Sequence, residues 1–238
     1  MVAAGRTVSD AAVALSGLHF GWPGAAQACV DIAEFTLAAG ERLFLHGPSG
    51  SGKTTLLSLI GGVLGADAGS LKVLGTELAT LSGPRRDRFR ADHIGFIFQQ
   101  FNLIPYLSAA DNIALPCRFS PLRAQRAGDI GAAVTRLAGH LDLPVDLLAR
   151  PAAELSVGQQ QRVAAARALI GAPALVVADE PTSALDAARQ DAFLDLLLGE
   201  CAAAGASLLF VSHDLRLAGR FDRCAALSDI NAAAEATA

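Results

Sequence analysis

The feature that most restricts this chain is the stretch GPSGSGKT at residues 47–54. It matches GxxxxGK[ST] and stands between a short apolar run, Arg42, Leu43, Phe44, Leu45 and His46, and a segment whose Leu56, Leu59, Ile60 and Val63 share one helical face. Strand, glycine-rich loop, helix is the expected order. Glycine lets backbone N–H groups curl round an anion without side-chain interference, and a helix that starts there turns its positive end to the same point. The pattern is that of a phosphate-binding loop. Lys53 can reach β- and γ-phosphate oxygens, Thr54 can ligate Mg2+, and Gly47, Pro48, Ser49, Gly50, Ser51, Gly52 and Thr55 complete the nucleotide cradle. The lysine is informative by its rarity. Only Lys53 and Lys72 are lysine among 19 basic residues, so arginine serves wherever charge suffices and the ammonium at position 53 marks a specific need.

A strand entering such a loop belongs to a largely parallel sheet covered by helices. Short apolar runs at residues 94–98, 175–178 and 207–211 supply further strands. Residues 101–172 differ in character: no strand pattern is convincing there, Ser108 and Asp111 have capping-box-like spacing, and Ile130, Val134, Leu137 and Leu141 share a helical face. The expected organisation is one domain, with an α/β core over residues 11–100 and 173–230 and a helical subdomain of 101–172 inserted in it. The first 40 residues alternate more loosely, as an antiparallel β patch would, and residues 231–238 are expected to form a flexible, frayed tail. A chain of 238 residues needs no disulfide or structural metal to hold its core, and Cys29, Cys117, Cys201 and Cys224, without zinc-ligand spacing, read as buried free thiols.

Charge narrows the partners. With 19 basic against 23 acidic residues, a pI near 5.7 and no basic stripe, nucleic acid is not an expected partner. The local exception, Arg85, Arg86, Arg88 and Arg90, reads as a solvated helix face. The opening MVAAGRTVSD lacks the basic and apolar regions of a signal peptide, and Arg162, Arg167, Pro173 and Asp179 interrupt even the richest apolar region, so neither export nor a membrane span is expected.

Two more segments carry chemistry. LVVADE at residues 175–180 is an apolar strand ending in two carboxylates, where a parallel sheet presents its ligand-side loops. Asp179 would hold Mg2+ through water, and Glu180, pointing the other way, would polarise an attacking water. LSVGQ at residues 155–159 precedes a helix-forming run. With Ser156 as N-cap, Gln159 completes a capping box, so the segment is either only a well-capped helix start or a second phosphate-binding element. Spacing does not decide between them.

LSVGQ, followed by QQRVAAARAL and then DEPTSALD, resembles an ATP-binding-cassette ATPase, and the likeness runs from about residue 13 to 228. It implies a P-loop NTPase core of RecA type with a mostly parallel sheet, an N-terminal antiparallel β subdomain and the helical insert. By that resemblance Ser156, Gly158 and Gln159 form the signature that meets nucleotide, and Asp186 couples two facing sites. His213, in VSHD, is the switch histidine at the γ-phosphate, and Gln99, in FQQF, joins the Mg2+ ligands and links nucleotide to transporter. An aromatic ring near the N-terminus stacks on adenine in this family. Trp22 is the choice, with Phe20 as the alternative, although tyrosine is the more usual residue. Val157 is a second departure, since glycine is commoner there, but Ser156 and Gly158 beside it survive.

IGFIFQQFNLIP at residues 94–105 is similar to the branch serving lipoprotein release, macrolide export and cell division. The resemblance implies a head-to-tail homodimer enclosing ATP and Mg2+, docked on an integral-membrane permease at the cytoplasmic, inner face of the cell membrane. A soluble cassette ATPase acting on nucleic acid or ribosomes would carry a coiled-coil insertion or a tandem pair, and this chain has neither. A non-catalytic nucleotide-binding subunit is disfavoured because Lys53, Thr54, Asp179, Glu180 and His213 are all present.

Overall fold

The computed structural model of the chain describes residues 11–25, 27–183 and 185–233. Along it run β1 (Ala11–Phe20), β2 (Val30–Ala38), β3 (Arg42–His46), α1 (Lys53–Ile60), β4 (Ala68–Val73), β5 (Thr76–Glu77) and α2 (Gly83–His93). There follow β6 (Ile94–Ile97), α3 (Ala109–Phe119), α4 (Pro121–Ala127), α5 (Ile130–His140), α6 (Val157–Leu169) and β7 (Leu175–Asp179). The order closes with α7 (Ala187–Ala204), β8 (Ser207–Val211) and β9 (Arg223–Ala226). The fold is α/β, and two compact units divide it, one from residues up to 87 and from 213 onward, the other from 88–212.

In the first unit β1 pairs antiparallel with β2 on one side and β4 on the other, and β5 extends the sheet beyond β4. The loose alternation of this region has a physical cause. Val13, Leu15, Leu18 and Phe20 are buried, a two-residue period with one extra residue between Leu15 and Leu18. The register against β4 shifts between Ser16 and His19, with Gly17 at φ 57°, so a bulge absorbs that residue and returns Leu18 to the core face. β3 pairs in parallel with β9, Leu43 opposite Arg223 and His46 opposite Ala226. Arg42 and Asp222 clamp the start of this pair: Arg42 N–H and guanidinium donate to the Asp222 carboxylate at 2.6–3.1 Å, and Asp222 N–H donates to Arg42 O.

In the second unit β7 lies between β6 and β8, all parallel, with Leu175 opposite both Ile94 and Ser207. Val176, Val177, Leu208, Leu209 and Phe210 are fully buried there. Helices occupy the stretch between β6 and β7. Ser108 caps α3 as its spacing predicts, accepting from Asp111 N–H at 3.0 Å, and Val134, Leu137 and Leu141 are buried along α5 and its end. Arg123 of α4 is 2% exposed and donates to the carbonyls that close α6, Ala168 O at 2.6 Å and Ile170 O at 2.7 Å. Burial pulls its pKa down to about 10, which leaves the guanidinium charged at neutral pH against the negative end of the helix.

Several expectations need correction. Val63 does not share the buried face of α1, because the helix stops at Ile60 with Gly61 as its cap, and Val63 is 61% exposed. The sequence reading misses β4, β5 and β9, which lack the continuous runs of large apolar residues that mark β3, β7 and β8. Cys117 and Cys201 are buried free thiols, but Cys224, on β9, is exposed and Cys29 is half-buried. Asn231, assigned to a frayed tail, is 1% exposed and hydrogen-bonded, while the rest of that tail from residue 234 lies outside the described residues.

Candidate phosphate loop, carboxylate pair and signature

In the first unit β3 delivers the chain into the glycine-rich loop and α1 begins at Lys53. Gly52 caps α1 at φ 94°, and a β-carbon on it would stand 2.8 Å from the Cys29 carbonyl oxygen, so backbone conformation and space both demand glycine. Lys53 Nζ curls over the loop, donating to Gly47 O and Pro48 O, both at 2.7 Å, and an ammonium has a third N–H to offer. Thr54 sits exposed in the first turn of α1, and Thr55 is buried with Oγ1 3.4 Å from Cys29 Sγ. The Ser51 hydroxyl is buried with no partner among the described residues. An orphaned donor in a loop of this shape fits an anionic oxygen, because buried polar groups are rarely left unpaired.

Phe20 and Trp22 stand at the end of β1 and just beyond it, their rings edge to face at 5.2 Å. They differ in exposure. Phe20 is 6% exposed, whereas Trp22 is 48% exposed. His213 is also exposed, next to Asp214, whose side chain caps the turn Leu215–Arg220. The Arg216 guanidinium, hydrogen-bonded to Asp214, holds that carboxyl below the usual range.

The second unit holds the other candidates. β7 ends at the half-buried Asp179, and Glu180 follows with 9% exposure and φ 46°, its N–H donating to Val211 O at 2.9 Å. A left-handed conformation at a residue other than glycine costs on the order of 1–3 kcal/mol and persists where neighbours enforce it. Two buried glutamines brace this turn. Gln161 Nε2 donates to Pro181 O at 2.7 Å and Gln190 Nε2 to Thr182 O at 3.1 Å. Sequence reasoning passes over both, and the signal for Gln161 is only its place in the run QQQ at residues 159–161.

Ser156 is the N-cap of α6 and forms the full capping box: Gln159 N–H donates to Ser156 Oγ at 3.4 Å, and Ser156 N–H to Gln159 Oε1 at 2.8 Å. Val157 is half exposed, and a β-carbon on Gly158 would meet nothing within 4 Å, so this helix start is open on the outside. A groove of about 460 Å³ lies against it, lined by Ser156, Gly158, Gln159 and Arg162 together with Leu185 and Arg189. Asp186 caps α7 through Arg189 N–H at 3.0 Å, while Ala184 before it lies outside the described residues. Gln99 is exposed in the turn after β6. Arg167, whose role sequence reasoning also misses, reaches from α6 to the backbone just past that glutamine, donating to Phe101 O at 2.5 Å and Asn102 O at 2.7 Å. α6 thus carries the signature cap at one end and the tether of the Gln99 turn near the other.

Hard oxygen donors of the kind Mg2+ accepts stand in each unit taken by itself: a hydroxyl on Thr54 in the first, and an amide oxygen on Gln99 and a carboxylate on Asp179 in the second. Among the described residues no cluster of three His, Cys, Asp or Glu is placed to hold a metal, and Mg2+ on a nucleotide needs none, since it keeps waters and phosphate oxygens as ligands.

Residues 30–183 match the model of the ABC transporter family. The chain is 41% identical over 191 residues to the uncharacterized ABC transporter ATP-binding protein YbbA of Escherichia coli (strain K12), covering 80% of this chain and 82% of that protein. It is 43% identical over 199 residues to the lipoprotein-releasing system ATP-binding protein LolD 1 of Caulobacter vibrioides, covering 82% of each. Among solved structures it is similar to the ATP-binding cassette MJ0796 in a dimeric, post-hydrolysis state bound to ADP and Pi, with a TM-score of 0.81, 30% identity and coverage of 92% of this chain and 94% of that one.

Proposed function

Since the chain belongs to the ABC transporter family, we propose that it is the ATP-binding and ATP-hydrolysing subunit of a transporter, driving an integral-membrane permease of the lipoprotein-release or macrolide-export type. The observation that carries the hydrolytic reading is Glu180, a carboxylate held at φ 46° directly after Asp179 and braced through its turn by Gln161 and Gln190. Strain maintained by such bracing is what a precisely aimed base requires.

In this mechanism Gly47, Pro48, Ser49, Gly50, Ser51 and Gly52 wrap the phosphates, while Lys53 and His213 offset the charge that builds on the transferring phosphoryl group. Glu180 orients and polarises the attacking water. Thr54, Asp179 and Gln99 would hold Mg2+, which when bound would supply charge neutralisation on the phosphate oxygens. Trp22, the exposed ring of the aromatic pair, is the stacking platform for adenine, and the buried Phe20 packs against it with the two rings nearly perpendicular. Two copies associate head to tail, so that Ser156, Gly158 and Gln159 of one meet the nucleotide of the other and Asp186 couples the two. ATP binding favours the closed dimer and hydrolysis releases it, a shift of population that the permease reads through the helical region beside Gln99. Among the described residues no helix is long and apolar enough to cross a bilayer, and the permease supplies the attachment at the inner face of the membrane.

The test is a pull-down of tagged Glu180→Gln protein from mildly solubilised membranes of its native host, with and without ATP. A polytopic membrane protein should copurify stoichiometrically. Recovery of soluble or nucleic-acid partners alone would refute the transporter assignment.

A further inference from the structure

The C-terminal end of the described chain is built into the phosphate loop. After β9, the turn Leu227–Asp229 sets the fully buried Leu227 side chain 3.3 Å from where a β-carbon on Gly47 would stand. Asn231 follows, 1% exposed, at the other end of the loop. Its Oδ1 accepts from Asp31 N–H at 2.7 Å, and its Nδ2 donates to Cys29 O at 3.1 Å and to Ser51 O at 3.2 Å. One acceptor and two donors are matched to one N–H and two carbonyls, so the amide has a single satisfactory orientation: turned over, it would set oxygen against both carbonyls and NH2 against an N–H.

Ser51 O belongs to the peptide that joins Ser51 to Gly52. In a planar trans peptide the C=O and the N–H point in opposite directions, and none of the described peptides is cis. Anchoring Ser51 O on Asn231 therefore aims the Gly52 N–H away from the anchor. The Gly52 α-carbon is pressed against the same support, a β-carbon there standing 2.8 Å from Cys29 O and 3.4 Å from Asn231 Nδ2. Around the Ser51–Gly52 peptide the supported side is made by Cys29 and Asn231, and the planar peptide turns the Gly52 N–H away from the Asn231 anchor.

We propose that Asn231 is a positioning residue of the phosphate loop, which acts through the Ser51–Gly52 peptide to turn the Gly52 N–H toward the phosphates of a bound nucleotide. The inference rests on the nucleotide-binding reading above. Asn231 itself touches no nucleotide. It lies 180 residues from Ser51 in sequence and outside the phosphate loop, signature and carboxylate segments, and the chain must run on to residue 231 for the loop to take its shape.

The test uses the full-length protein and MgADP, with Kd measured by calorimetry well below the melting temperature of every variant. Asn231→Asp keeps the volume and the acceptor for Asp31 N–H but replaces both donors with oxygen facing carbonyls. It should weaken MgADP binding by about 5-fold or more, beyond the roughly 2-fold loss at the low end for one hydrogen bond, and Asn231→Ala should do the same. A merely structural asparagine would lower the melting temperature and leave Kd unchanged. Binding within about 2-fold of wild type in both variants, with Lys53→Ala defective, would overturn the inference and leave the nucleotide reading standing. Equal binding by wild type and Lys53→Ala would overturn that reading and this inference with it. Should both Asn231 variants fail to fold, the Gly52 amide resonance of the wild-type protein is decisive: a marked downfield proton shift on adding MgADP is expected, and an unmoved resonance would refute the proposal.

Discussion

Glu180 combines a conformational cost with chemistry. Its carboxylate is part of a turn that bends against the preference of every L-residue, and the turn holds because Gln161 and Gln190 satisfy the carbonyls that follow. Glu180→Gln preserves shape and removes the base, so ATP should bind with unchanged affinity while steady-state phosphate release falls by about 100-fold or more. Undiminished release would remove Glu180 from the mechanism. Gly52 is the converse case, a residue defined by what it lacks. Gly52→Ala sets a β-carbon 2.8 Å from Cys29 O at φ 94°, and both strain and crowding must be relieved by moving the loop. Unfolding in urea should show a loss of about 1–3 kcal/mol, and MgADP binding should weaken in parallel.

Helix α6 joins these residues into a working element. Its N-terminus carries the capping box of Ser156 and Gln159, and its C-terminal carbonyls rest on the buried guanidinium of Arg123. Its middle packs into the core, with Val163, Ala164, Ala165 and Ala166 fully buried, and the caps at its two ends satisfy the backbone groups that packing does not reach. Ser156→Ala should cost about 1 kcal/mol, the usual value of an N-cap, read from the urea midpoint. Arg123→Met should cost more, about 2 kcal/mol or above, because it strands buried acceptors at Ala168 and Ile170. Arg123→Lys should fail to restore it, since one ammonium does not reproduce the fork of a guanidinium. A urea midpoint for Arg123→Met equal to wild type would show that the carbonyls find other donors.

For the whole molecule, pH stability and assembly follow from groups far apart in sequence. Hydrogen bonds from the Arg42 side chain, 180 residues away in sequence, hold the Asp222 carboxyl below its ordinary range. A carboxyl depressed in the folded state contributes stability above its unfolded pKa of about 3.9 and loses it as pH falls through the folded value. Arg42→Met should therefore unfold at slightly higher pH in an acid titration followed by circular dichroism. The effect is small because the pair is a third or more exposed, and identical midpoints would show that it contributes nothing. Glu180→Gln with MgATP should elute from a sizing column at twice the mass of the nucleotide-free protein, and a monomer under both conditions would contradict the head-to-tail dimer. Much of this was legible from local pattern. Strands β3, β6, β7 and β8, the loop at residues 47–54, the cap at Ser156 and the carboxylates after β7 each depend on neighbours within a few positions. The rest depends on where the chain returns. The bulge at Gly17 blurred the alternation of β1, the core claimed Phe20 and left Trp22 outside, and Asn231 found its partners about 180 to 200 residues away. Periodicity and capping are short-range and can be read from a string of residues, whereas burial and long-range hydrogen bonds exist only once distant segments have been packed together.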